Sequence, residues 1–299
     1  ILSRNPYGFF LMVEASQVDW ASHNNDAVGT VTEYMAFDEA VQIAVDFAKQ
    51  DGRTMVLVFP DHDNGGMSLG RRGDNYTDIQ TEEVVDALKK ATITGFGLLD
   101  TLIRAKKSAV VDSAYVADAL RSFMGIEEIT ADDADDVRAI VASVAAGAMN
   151  DPDVASIGRI IDRRADIGWT TYGHCGNDVW IYGLGVDFGK TLDNTDIADI
   201  CFRKIGVTKE MINRILFQDA NELFRHIKNA VVFVDTVGAA AGKGSITVST
   251  PWRNAMFPFY KNEMIVDGVT KEMNGLTVYS QKANKAFLPT QALKLFLKN

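Results

Sequence analysis

The sequence predicts an α/β protein: part of a doubly covered, mainly parallel sheet, with a helical insertion and a small β-rich C-terminal appendage. Three observations carry this. Two short, continuous apolar runs, at 7–14 and 54–59, are separated by a long stretch with helical periodicity. From 79 to 165 the pattern is helical throughout. After Ala230 the chain changes to short β-prone runs between Gly-rich turns.

Residues 7–14 are too short and too continuously apolar for an exposed helix, and read as a buried strand. A helix is predicted from Asn24. Phe37, Val41, Ala44, Val45 and Ala48 fall on one face, and Gly52 follows its end. Residues 54–59 are the second apolar strand. Strand, helix and strand make a βαβ unit, which implies parallel pairing and cover on both faces. Asn64-Gly65-Gly66 signals a turn, and a polar stretch runs on to Asp78.

Helices are predicted at 80–105, 112–124, 131–149 and 153–165, with breaks at 106–108, 125–130 and Asp151-Pro152. Residues 130–133 resemble an N-cap with acid in the first turn. This block separates two sheet-like segments. It therefore reads as an insertion, 79–165, in a core made of 1–78 and 166–229. In the second core segment a strand is predicted at 179–184. A short helix opens at Asp193-Asn194-Thr195 and ends at Gly206, and 208–229 reads as another helix. Residues 230–299 form the appendage. Strand signals at 231–237, 245–248, 263–266 and 277–279 alternate with turns at 242–244, Asp267-Gly268 and Asn274-Gly275.

The 299 residues are 47% hydrophobic, enough for a sizeable core in one large domain or two smaller ones. No apolar run approaches the roughly 18 residues of a membrane span. A net charge of −10 offers no basic stripe to nucleic acid. It leaves a phosphate-bearing substrate open, because bound cations would invert the local field. Cys175 and Cys201 allow one disulfide without indicating it. The chain begins Ile1-Leu2-Ser3-Arg4, without a methionine or signal peptide, and reads as a piece of something longer.

The chemistry concentrates where the apolar strands end, which is where open α/β sheets keep their sites. Asp19 and His23 are four apart and point the same way on a helical turn. His174, in the Gly-rich run Thr171-Tyr172-Gly173-His174-Cys175-Gly176, could complete an Asp/His/His set with a free position, as catalytic zinc requires. Asp61 and His62 are adjacent and need a turn to act as a pair; Pro60 and Asn64-Gly65-Gly66 favour one. Glu14, with no histidine beside it, suits a hard, water-rich ion such as magnesium. Two zinc ions about 4 Å apart would clamp an in-line phosphoryl displacement.

Each feature also has a plainer reading. Asp19 and His23 could be an ordinary helical pair, Asp61-His62 a turn, and His174 a core or surface histidine. His226, in mid-helix, reads as structural. The acidic run 132–136 reads as a solvated helix start, and Cys175 as a small packing residue. There is no Gly-rich nucleotide loop and no nucleophile-elbow pattern.

Three blocks, in order, resemble the alkaline phosphatases: Gly8-Phe9-Phe10-Leu11-Met12-Val13-Glu14 with Val18-Asp19 and His23; Asp61-His62 with Gly65-Gly66; and the run from Thr171 to Gly176. The similarity covers residues 1–206. It implies a metal-dependent phosphate monoesterase with two zinc ions and one magnesium. Glu14 would bind magnesium, Asp19, His23 and His174 the first zinc, and Asp61 and His62 the second. The implied mechanism runs through a phosphoserine, its serine expected upstream of Ile1, so the fragment alone is expected to be inactive. Helical insertions at this position form the crown of the family's bacterial dimers. A homodimer, or association with the absent N-terminal segment, is accordingly expected, in a periplasmic or extracellular setting. Trp20 stands where other members carry lysine or histidine, and Tyr172 where a glycine is common. The rival readings are a phosphodiesterase or sulfatase of the same superfamily, and a catalytically dead surface-binding module.

Overall fold

The computed structural model describes residues 1–75, 77 and 79–298. Asp78 and Asn299, the predicted ends of two segments, lie outside these. The chain forms two compact units, Leu11–Asp187 and, separately, Ile1–Phe10 with Phe188–Asn299. The predicted core segment 166–229 is thus divided after Asp187. No helix among the described residues is long and apolar enough to cross a membrane.

The first unit opens with α1 (Ser16–His23), α2 (Ala27–Asp51), β1 (Val56–Val58) and β2 (Ser68–Leu69). The helices α3 (Thr81–Lys89), α4 (Gly95–Ala105), α5 (Ser113–Met124), α6 (Ala134–Ala146) and α7 (Asp151–Ala165) follow, then β3 (Ile167–Gly168) and β4 (Tyr182–Leu184). Local chemistry sets the helix ends. Asp26 caps α2 by accepting from Gly29 N at 3.0 Å, and Gly52 closes it at φ 71°. Asn150 and Asp153 form a capping box at α7, with Pro152 in its first turn.

The predicted helix 80–105 is two helices. The break at Thr94 caps α4 through Gly97 N at 3.0 Å. The Asp26 carboxylate adds a second anchor there, accepting from Gly95 N at 2.6 Å and Phe96 N at 3.3 Å. One buried carboxylate therefore serves two helix N-termini. Burial pushes its pKa up against the hydrogen bonds that lower it.

Helices α4 to α7 close around Leu98, Leu99, Leu102, Leu120, Ile140 and Ile157, all buried. The acidic run before and within α6 departs from the solvated face expected of it. Asp133 and Asp136 are buried and face α7. Arg163 donates to Asp133 at 3.0 Å and to Asp136 at 2.6 Å, and Arg164 donates to Asp133 at 2.7 Å. Burial raises the Asp133 pKa, but the hydrogen bonds from Arg164, Thr130 and Arg163 outweigh it and hold the carboxyl well below the usual carboxylate range.

The strand side of this unit differs from the expectation. Residues 7–14 form no strand, and Phe10, Leu11, Met12 and Val13 are exposed. Strand pairing needs a neighbour to satisfy its backbone groups and cover its faces, and no described strand pairs with this segment. β1 pairs instead with β4, antiparallel, with Leu57 opposite Gly183. All pairings among the described strands are antiparallel. Among the described strands the expected parallel pairing across α2 is not formed, because residues 7–14 do not enter a sheet.

The second unit carries α8 (Asn194–Lys204), α9 (Lys209–Leu216), β5 (Gln218–Asp219), α10 (Ala220–Phe224), β6 (Val231–Asp235), β7 (Ser245–Thr250), β8 (Arg253–Pro258), β9 (Glu263–Val266), β10 (Val269–Glu272), β11 (Val278–Ser280), β12 (Lys285–Leu288) and α11 (Gln291–Leu297). Five strands, β6 to β10, form an antiparallel meander, and β11, β12 and β5 form a second small sheet. Asp267 (φ 49°) and Gly268 (φ 83°) make the tight turn between β9 and β10, where paired positive φ angles match the strand twist. Phe224, Ile246, Val248, Phe257, Met264 and Phe296 fill the core.

The predicted helix 208–229 is interrupted because Gln218 and Asp219 pair with β12. Asp219 then caps α10 through Asn221 N at 2.9 Å. His226 accordingly lies in an exposed turn, not in mid-helix.

Candidate metal centre

α1 places Asp19 and His23 one turn apart, with His23 Nε2 3.4 Å from Asp19 Oδ1. His62 comes from the turn after β1, with its Nδ1 3.8 Å from the same oxygen. His174 comes from the loop after β3. One ligand atom from each of His23, His62 and His174 lies within 4.8 Å of the others. The His62 and His174 rings stack at 4.1 Å, and the His23 ring is 5.4 Å from that of His174. Histidines from both of the zinc sets expected of the sequence thus lie in one cluster.

Two glycines make this convergence possible. A Cβ on Gly65 would sit 2.7 Å from Thr171 O, 2.8 Å from the Asn25 side-chain amide and 2.9 Å from Ser22 O. Gly66 has φ 68°, and a Cβ there would meet Cys175 Sγ at 2.3 Å. The 62–66 turn, the end of α1 and the 170–175 loop therefore touch backbone to backbone. Thr170 N donates to Gly65 O at 2.8 Å and ties the same two segments. Asn25, oriented with its amide nitrogen toward them, bridges Ser22 O and Thr171 O. Cys175 fills the space beside Gly66 as a packing residue, and both cysteines are free.

Outer contacts orient the candidate ligands. His23 Nδ1 donates to Tyr172 O at 2.6 Å. His62 Nδ1 donates to Asp63 O at 2.8 Å. Asn64 Nδ2 donates to Asp19 Oδ1 at 2.7 Å, and Asp63 in turn accepts from Asn177 N at 2.8 Å. The sequence marks Asn64 as a turn residue and Tyr172 as a departure from the family pattern, but neither these signals nor the type of Asp63 shows the contacts they make. Their roles come from backbone carbonyls and a cross-segment contact, which leave no residue-type signature.

The remaining predicted residues stand apart from the cluster. Asp61 Oδ2 is 3.4 Å from His62 Nε2, but its side chain is 85% exposed. Glu14 is exposed on the extended segment before α1 and joins no ligand cluster among the described residues. Three imidazoles and one adjacent carboxylate are the donor set that suits zinc. The cluster therefore has the chemistry of a zinc-binding site. Glu14 is a lone exposed carboxylate, and a hard, water-rich ion such as magnesium takes few protein ligands.

The alkaline phosphatase family model matches residues 1–205. The chain belongs to the alkaline phosphatase family. Alkaline phosphatase 3 of Bacillus subtilis is 34% identical over 208 residues, spanning 68% of this chain and 41% of that protein. Alkaline phosphatase 4 of the same organism is 33% identical over 205 residues, 68% of this chain and 40% of that protein. In structure, a cold-active alkaline phosphatase from the psychrophile Shewanella sp. aligns with a TM-score of 0.54 at 27% identity, covering 67% of this chain and 46% of that one. The chain thus spans about two fifths of the length of these Bacillus relatives. The matched residues hold the histidine cluster and α1 to α8, and residues from 206 onward, with the β-rich region, lie outside the match.

Proposed function

We propose that this alkaline phosphatase family chain contributes the metal-binding wall of a phosphate monoester hydrolase. The observation that carries the reading is the convergence of His23, His62 and His174 within 4.8 Å, beside the Asp19 carboxylate. Asp19, His23 and His174 would hold the first zinc, Asp61 and His62 the second, and Glu14 a magnesium ion. When bound, such ions supply electrostatic stabilisation to the attacking and leaving oxygens of an in-line displacement. The chain's own residues hold those charges in place. Asp19 accepts from Asn64, and His23 and His62 spend their Nδ1 protons on backbone carbonyls, leaving each Nε2 free to ligate. Trp20, which follows Asp19 in α1, is 60% exposed and brings no cation.

In the whole enzyme the reaction would pass through a phosphoserine and its hydrolysis. No serine of residues 1–299 is assigned as the nucleophile, so the isolated chain is expected to show negligible phosphatase activity. A homodimer, or association with the segment carrying the nucleophile, in a periplasmic or extracellular setting, completes the proposal. The test is metal analysis and zinc titration of the pure chain. Zinc uptake that falls at least about tenfold in affinity in His23→Ala and His174→Ala is the expected result. A chain free of zinc, indifferent to both substitutions, would overturn the reading.

A further inference from the structure

We propose that Tyr172 and Arg159 are positioning residues for His23, through which the helical region fixes a ring that it does not itself contribute. The inference rests on the metal-binding reading above. It starts from the tautomer of His23. The partner of Nδ1 is the Tyr172 carbonyl at 2.6 Å, and a carbonyl only accepts. Nδ1 must therefore carry the proton, which leaves the Nε2 lone pair on the side of Asp19 and the other two rings. The position of one backbone oxygen thus selects which nitrogen can bind an ion.

That oxygen is held from the other end of its own residue. The Tyr172 hydroxyl accepts from Arg159 Nη1 at 3.2 Å. Arg159, on α7, is itself fixed twice more: Nε donates to Asp136 Oδ1 at 2.7 Å, and Nη2 to Ser156 Oγ at 3.0 Å. Asp136, on α6, is buried and also accepts from Arg163. A continuous path runs from a buried carboxylate in the helical region, through a guanidinium and a phenol, to the carbonyl on His23. Tyrosine suits this place because it alone combines a rigid ring with a hydroxyl at that reach. A smaller residue at 172 would leave the carbonyl to the loop's own backbone.

The test uses the full chain with 15N-labelled histidine. Long-range proton–nitrogen spectra of the metal-free protein read the His23 tautomer, and competition titration with zinc reads affinity. The wild-type ring is expected in the Nδ1–H form. Tyr172→Phe, which keeps the ring and removes only the hydroxyl, is expected to give a tautomer mixture and to weaken zinc binding by about tenfold. Arg159→Gln should do the same, and Arg159→Lys should recover part of the loss. A Tyr172→Phe protein with the wild-type tautomer and affinity overturns the proposal, whatever Arg159→Gln does. A wild-type chain that binds no zinc would instead sink the metal-binding reading, while the tautomer spectra would still decide this one.

Discussion

The helices α4 to α7 and the apolar runs at 7–14, 54–59 and 179–184 both carry large hydrophobic side chains, yet only the helices bury theirs fully. Leu98, Leu99, Leu120, Ile140 and Ile157 are fully buried. Met12 and Val13 are 78% and 74% exposed, and Trp180 and Tyr182 are exposed as well. The difference follows from how each element satisfies itself. A helix pairs its own backbone and needs only a matching stripe on another helix. A strand needs a neighbour for both its hydrogen bonds and its faces. The helical region carries all its partners within reach, including the arginines that neutralise Asp133 and Asp136.

Substitutions that read burial would break or sharpen this contrast. Leu120→Ala in the helical core is expected to cost about 2–5 kcal/mol in denaturant unfolding. A cost below about 1 kcal/mol would mean that the helical core is not the closed part.

An effect of similar size is expected from pH. Burial first, and then the neighbouring Asp26 carboxylate, push the Asp162 pKa up to about 8. The native state therefore keeps a proton that the unfolded chain releases near pH 3.9 or so. Stability from this group is present below that value and is lost as pH rises toward about 8. The slope approaches about 1.4 kcal/mol per pH unit. Asp162→Asn should flatten the decline between pH 5 and 8, measured as the difference from wild type. Parallel wild-type and variant curves would remove Asp162 from the account.

The smallest effect belongs to the open side. Val13→Ala should change stability by no more than about 0.5 kcal/mol. A loss comparable to that of Leu120→Ala would show that the segment is packed in solution, and the contrast would fail.

Much of the fold was legible because its signals are local. The predicted helices at 112–124, 131–149 and 153–165 match α5, α6 and α7 to within a few residues, since capping residues and Gly125 and Gly147 mark their ends. The breaks inside 80–105 and 208–229 were not legible. Asp26 reaches across from α2 to cap α4, and β12 claims Gln218 and Asp219. Strands β8, β10 and β12 and helix α11 also passed unread, being short and shaped by their pairing or packing. In the site, the sequence marked Asp19, His23, His62 and His174 by type and spacing. It could not say that Glu14 would stand apart.

The sequence by itself determined the family, the helical periodicities and the donor residues, because residue type and short-range spacing carry them. Only the tertiary structure decided that three histidines from α1, the turn after β1 and a distant loop meet in one cluster. The reason is steric: Gly65 lets three backbone segments touch where a Cβ would hold them apart, and Gly66 leaves room for the Cys175 and Thr170 side chains. The tertiary structure also decided which acids are buried and which apolar segments stay open. Those outcomes depend on what lies opposite in space, which no local pattern records.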